Sequence, residues 1–127
     1  MNRRKKNVLI IEQEAIIALD IKKRFLDEGH TIIGSTSSLL ETILRRKDFR
    51  KVDLILIDAG LEDFSNHFSF AERIYRIMQT PLIIIASHID EALRKKCLNY
   101  QFVRIIEKPF RNDELSNVLG NIFQENK

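Results

Sequence analysis

Three charged side chains stand where short apolar runs stop. Glu12 follows Val8–Ile11, Asp58 follows Leu54–Ile57, and Lys108 comes just after Arg104–Ile106. If the first and third runs are neighbouring strands, Glu12 and Asp58 converge at one edge of a sheet, and Lys108 arrives from the last strand. Paired carboxylates have a clear use. Oxygen ligands suit a hard cation such as Mg²⁺, which takes one or two carboxylates together with waters and phosphate oxygens. The Asp58 carboxylate can also act as a nucleophile and form an aspartyl phosphate. Lys108 would then balance charge on the phosphoryl group. The plainer reading is that Glu12 and Asp58 cap the helices that follow them, with Lys108 as their salt-bridge partner.

These side chains meet only if the elements beneath them have the right order. Apolar or β-branched runs recur at Val8–Ile11, Thr31–Gly34, Leu54–Ile57, Leu82–Ile85 and Arg104–Ile106. VLII, LILI and LIII show no polar alternation, which suits strands buried on both faces of a parallel sheet. The stretches between them carry helical periodicity. Ala15–Glu28 places Ile17, Ile21 and Phe25 on one side and Asp20, Lys23, Arg24 and Asp27 on the other, and Gly29 is a natural stop. Further helices are expected over Leu39–Arg46 (Ser37 or Ser38 capping, Glu41 reaching back), Phe70–Met78, Asp90–Asn99 and Asp113–Phe123. Alternating strands and helices give a doubly wound, five-stranded parallel α/β sheet with helices on both faces. Such sheets bind ligands beyond the carboxyl ends of the strands, at the switch point in strand order.

Composition limits the function classes. The chain has 127 residues, within the range of about 100–200 for one domain. Hydrophobic residues make up 44% and charged residues 31%, which excludes a disordered or low-complexity chain. The net charge of +3 depends on Arg3, Arg4, Lys5 and Lys6; without them, 17 basic residues face 18 acidic ones. The body is therefore not basic, and no nucleic acid is expected as a partner. Residues 1–6 read as a frayed basic tail, 7–123 as the domain and 124–127 as a C-terminal tail. A single cysteine, Cys97, suits a reducing compartment and is expected to be an apolar filler. No run approaches the roughly 18 apolar residues of a membrane span, and the run after the basic start is too short for a signal peptide. A cytoplasmic protein without a membrane partner is expected.

The stretches VLIIEQEAIIALDI, VDLILIDAGL, PLIIIASHID and IIEKPFRNDEL, in this order, resemble the receiver domains of two-component response regulators. The resemblance runs from Asn7 to about Phe123, with 45 positions from Gln13 to Asp58 and 50 from Asp58 to Lys108. It implies a flavodoxin-like strand order 2-1-3-4-5 and Asp58 as the phosphoacceptor. It also implies Lys108 before a cis Pro109, and weakly held Mg²⁺ at Glu12, Asp58, the Gly60 carbonyl and Gln13. A histidine kinase or phosphotransfer protein would be the phosphoryl donor. A downstream protein would bind the face made by the fourth helix, fifth strand and fifth helix, where Arg94, Arg104 and Arg111 are candidate contacts. Self-phosphorylation and autodephosphorylation would be the only enzymatic activity.

The chain departs from the family pattern at four positions. The second acid of the pair is Gln13, a neutral and poorer Mg²⁺ ligand. The Ser or Thr ending the fourth strand is Ala86, the aromatic switch residue is Ile105, and a turn proline is Glu62. Without a hydroxyl at Ala86 or a ring at Ile105, the usual coupling between site and surface is lost. The alternative function is therefore a phosphorylation-independent pseudo-receiver that serves as a protein-interaction module. A haloacid-dehalogenase-type phosphatase would need a second acid where Gly60 stands, and neither GxGxxG nor GxxxxGK[ST] occurs. Ser87 reads as a cap with Asp90, His88 as a solvated loop residue, and His30 and His67 lack metal-ligand spacing. The role of Leu61–Phe70, LEDFSNHFSF, is left open between an edge cover and a contact patch.

Overall fold

A computed structural model describes residues 5–36, 44, 45, 47, 51–58, 68–89 and 91–123. Five parallel strands form one sheet: β1 (Asn7–Ile11), β2 (Thr31–Thr36), β3 (Leu54–Asp58), β4 (Leu82–Ala86) and β5 (Val103–Glu107). Their order is β2-β1-β3-β4-β5. The three runs without polar alternation, β1, β3 and β4, are the three interior strands, and every residue of β3 and β4 is buried. The mixed runs, β2 and β5, form the edges and are partly exposed. An interior parallel strand is covered on both faces, so it can place apolar residues at every position, whereas an edge strand cannot.

The described helices are α1 (Ala15–Asp27), α2 (Phe68–Met78), α3 (Glu91–Leu98) and α4 (Asn112–Phe123). Successive strand residues point to opposite faces, and the core divides accordingly. On one face Val8, Ile10, Leu54, Leu56, Ile83 and Ile85 pack with Ile21 and Phe25 of α1 and Leu115 and Leu119 of α4. On the other, Leu9, Ile11, Ile55, Ile57 and Ile84 meet Ile74 of α2 and Cys97 of α3. Burial raises the Cys97 thiol pKa, as expected for an apolar filler. Among the described residues, no helix is long and apolar enough to cross a membrane.

Local chemistry sets the helix ends. Gly29 ends α1 at φ +92°, a conformation that disfavours side chains, and its N–H donates to the Leu26 carbonyl at 2.9 Å. Glu114 accepts the Arg111 N–H at 2.8 Å, the reciprocal half of a capping box at the start of α4. One expectation is corrected. Lys6 is not part of a frayed tail: its N–H donates to His30 Nδ1 at 3.1 Å and its ammonium lies 4.3 Å from the Phe123 ring centre. Arg24, on the polar side of α1, reaches Phe110 with its guanidinium. The helix expected over Leu39–Arg46, its caps at Ser37, Ser38 and Glu41, and also His67, Asp90 and the tails 1–4 and 124–127 lie wholly or largely outside the described residues.

The burial pattern predicts a sharp contrast in stability. Leu56→Ala, at a fully buried position, should cost about 2–5 kcal/mol in urea unfolding. Leu19→Ala on the outer side of α1, where the leucine is 65% exposed, should cost less than about 0.5 kcal/mol. Equal losses would contradict this division of the core.

Candidate functional site

Sheet register builds the site. β1 and β3 pair as far as Ile11↔Ile57, so the next positions, Glu12 and Asp58, lie side by side at the carboxyl rim. This is the switch point, because the chain leaves β1 for β2 on one side and later returns to β3 on the other. The Glu12 N–H donates to the Thr36 carbonyl at 2.9 Å, which fixes the backbone of the acid from β2. On the far side, Ala86 pairs with Glu107, and the Lys108 N–H donates to the Ala86 carbonyl at 2.7 Å. The Lys108–Pro109 peptide bond is cis.

The side chains converge as the spacing suggested. Lys108 Nζ lies 3.2 Å from Asp58 Oδ1. Glu12 and Asp58 are only 3% and 6% exposed, a degree of burial uncommon for carboxyl groups. Glu12 Oε2 accepts the Glu14 N–H at 3.1 Å, while Oε1 is buried with no hydrogen-bond partner among the described residues. Burial pushes the Glu12 pKa up to about 7, and the neighbouring Asp58 carboxyl group adds to this; the Glu14 N–H and the Lys108 charge pull it down. The capping reading thus holds only in part. Glu12 does accept a backbone N–H beside the start of α1, but half of its carboxyl group faces inward unsatisfied.

The other candidates divide. Gln13, the residue after Glu12, is exposed. Ala86 is buried at the end of β4 and presents only a methyl group. Ile105 is half-buried and packs against the face formed by Leu9, Ile11, Ile55 and Ile57. Ser87 and His88 are exposed. His30 is buried and stands edge-on to Phe25, far along the chain from the acids. Gly60 and most of Leu61–Phe70 lie outside the described residues. Arg94 and Arg111 are exposed, whereas Arg104 turns back to donate to the Gln101 and Val103 carbonyls at 2.7 and 3.0 Å. A hard, oxygen-only cation site fits the orphaned Glu12 Oε1 beside Asp58. Among the described residues, no group of three His, Cys, Asp or Glu side chains gathers into a larger metal cluster. Sequence reading missed the contact between Arg24 and Phe110. Its partners are 86 positions apart, and only the docking of α1 against α4 brings them together.

Comparison with known proteins agrees with this fold. The chain is 27% identical over 113 residues to the phyllosphere-induced regulator PhyR of Methylorubrum extorquens, covering 89% of this chain and 42% of that protein. It therefore spans less than half the length of this curated relative. A variant of the anti-anti-sigma factor PhyR from Bartonella quintana superposes with a TM-score of 0.75 at 25% identity, covering 98% of this chain and 52% of that one. CheY of Borrelia burgdorferi, solved in complex with CheX, shares the fold with a TM-score of 0.80 at 21% identity, covering 93% of this chain and 89% of its own. Residues 8–120, which include Glu12, Asp58 and Lys108, match the response regulator receiver domain, and the chain belongs to that family.

Proposed function

We propose that this chain, with residues 7–123 as its working unit, is a phosphoacceptor receiver that regulates a protein partner by binding. The observation that carries the reading is the contact between Lys108 and Asp58 at 3.2 Å beside the buried Glu12. An Asp58 carboxylate oxygen attacks the phosphorus of a phosphohistidine on a histidine kinase or phosphotransfer protein. The new P–O bond forms as the P–N bond breaks, and the imidazole leaves with the electron pair. Lys108 offsets charge on the incoming phosphoryl oxygens. Receiver domains generally bind Mg²⁺ at the acidic site and act in signalling rather than as metabolic enzymes. Here Glu12 and Asp58 would hold the ion, with the Gly60 carbonyl and the Gln13 amide completing the protein ligands. The ion supplies positive charge where phosphoryl oxygens gather. One structural relative is an anti-anti-sigma factor. We extend this to the present chain only as an output made through contact with a protein, in the cytoplasm, on the α3–β5–α4 face.

A second reading is favoured by Ala86 and Ile105. With a methyl group at the end of β4 and an aliphatic side chain in β5, neither the hydroxyl contact nor the ring of the usual switch exists. In this reading the same fold serves as a pseudo-receiver that binds its partner without phosphorylation.

Mass spectrometry after incubation with acetyl phosphate and Mg²⁺ separates the two. The phosphoacceptor reading predicts one phosphoryl adduct on the wild type and none on Asp58→Asn. No adduct on the wild type, under conditions that label an ordinary receiver, would favour the pseudo-receiver. In a Mg²⁺ titration, Gln13→Asp should bind more tightly than the wild type, because it adds a charged oxygen ligand next to Glu12; equal affinities would rule out position 13 as a ligand.

The raised Glu12 pKa also sets the direction of a stability change. Between 4.5 and about 7 the folded state holds a proton that the unfolded chain has released. Metal-free protein should therefore lose stability as pH rises through this window, and Glu12→Gln should flatten that part of the profile. A thermal-unfolding series showing the same slope for both proteins would refute it.

A further inference from the structure

The segment that delivers Lys108 to Asp58 is the short connection between β5 and α4. Its leading side is fixed by β4, through the Lys108 N–H and the Ala86 carbonyl. Its trailing side is fixed by a different element. Arg24, in the last turn of α1, donates from Nη1 to the Phe110 carbonyl oxygen. The guanidinium carbon lies 4.5 Å from the centre of the Phe110 ring, and Asp20 Oδ2 accepts Nε at 3.2 Å. The planar fork is thus held at three points, and the Arg24 side chain is only 26% exposed. The Phe110 ring is already buried among Ile21, Phe25, Leu115 and Leu119. The hydrogen bond therefore adds little to its burial. It fixes the orientation of a peptide group two residues beyond Lys108.

We propose that Arg24 is a positioning residue for Lys108. With Asp20 orienting it, α1 clamps the trailing side of the Lys108–Phe110 segment and sets where the ammonium meets Asp58. α1 also begins directly after the Glu12 segment, so one helix braces the chain on both sides of the phosphoacceptor. The proposal rests on the phosphoacceptor reading for its kinetic consequence, but not for its geometry. Small displacements of a group that must meet a reacting oxygen are costly.

The test uses the whole chain at a temperature where every variant is folded. Arg24→Met keeps the aliphatic stem and removes the fork. Acetyl phosphate labelling of Asp58 should slow on the order of tenfold, with the concentration for half-maximal rate little changed. Arg24→Lys should recover part of the rate. In a Lys108→Gln background, Arg24→Met should cause no further loss, a result that a purely structural role would not give. The ammonium ¹⁵N resonance of Lys108, identified by its disappearance in Lys108→Gln, should shift or broaden in Arg24→Met. Wild-type labelling and an unchanged resonance in Arg24→Met would overturn the proposal. If that variant does not fold, Asp20→Asn, which removes only the orienting carboxylate, is read in the same way. If the wild type is never labelled, the phosphoacceptor reading falls alone and the Lys108 resonance decides this inference.

Discussion

Two buried carboxyl groups held beside each other, with one ammonium between them and balance, form the constraint on which the rest of the structure turns. Burying a charge is unfavourable unless it is paired, and here Lys108 contacts Asp58 while Glu12 Oε1 has no hydrogen-bond partner among the described residues. The protein cannot relieve this by moving the acids apart, because their separation is set by the β1–β3 register, and those strands are buried on both faces. The strain appears instead as a carboxyl group that holds its proton far above the usual range. A site that is unsatisfied alone is one that gains when a cation or a phosphoryl group with its counter-charge arrives. The same buried, unpartnered oxygen that disfavours the fold would favour a cation that took it as a ligand.

The sheet supplies the precision. Parallel pairing places the ends of β1, β3 and β4 along one rim, and close packing on both faces leaves these strands little room to shift. The loops beyond them need only carry side chains a short distance. Glu12 is the first residue after β1, Asp58 is the last of β3, and Lys108 is the first after β5. Each therefore inherits its position from a strand and not from a flexible segment.

This explains why so much was legible in the sequence. Unbroken apolar runs marked the interior strands, the charged residues ending them marked the rim, and the resemblance of four stretches to receiver domains implied the strand order. What was not legible depends on contacts between distant elements. On a helical wheel Arg24 belongs with Asp20, Lys23 and Asp27, and nothing local signals that its guanidinium bends toward Phe110. Lys6 reads as part of a basic tail because its partners, His30 and Phe123, come from β2's approach and the end of α4. Arg104 reads as a surface contact, whereas a long side chain on an edge strand can fold back onto nearby carbonyls. In each case a flexible cation found an acceptor or a ring that only tertiary packing put within reach.

The substitutions at Ala86 and Ile105 bear on how such a site would be read at the surface. A phosphoryl group biases a protein only through contacts that differ between two states. A buried methyl group offers it no hydrogen bond, and an isoleucine packed against Leu9, Ile11, Ile55 and Ile57 has no ring to turn inward. Lys108 remains, a cation whose contact with Asp58 must change once that oxygen carries phosphorus. Its backbone runs directly into Phe110, whose carbonyl is held by Arg24 of α1. Any displacement of Lys108 would therefore be transmitted to Phe110, which packs with α1 and α4 on the face of the sheet opposite Ile105.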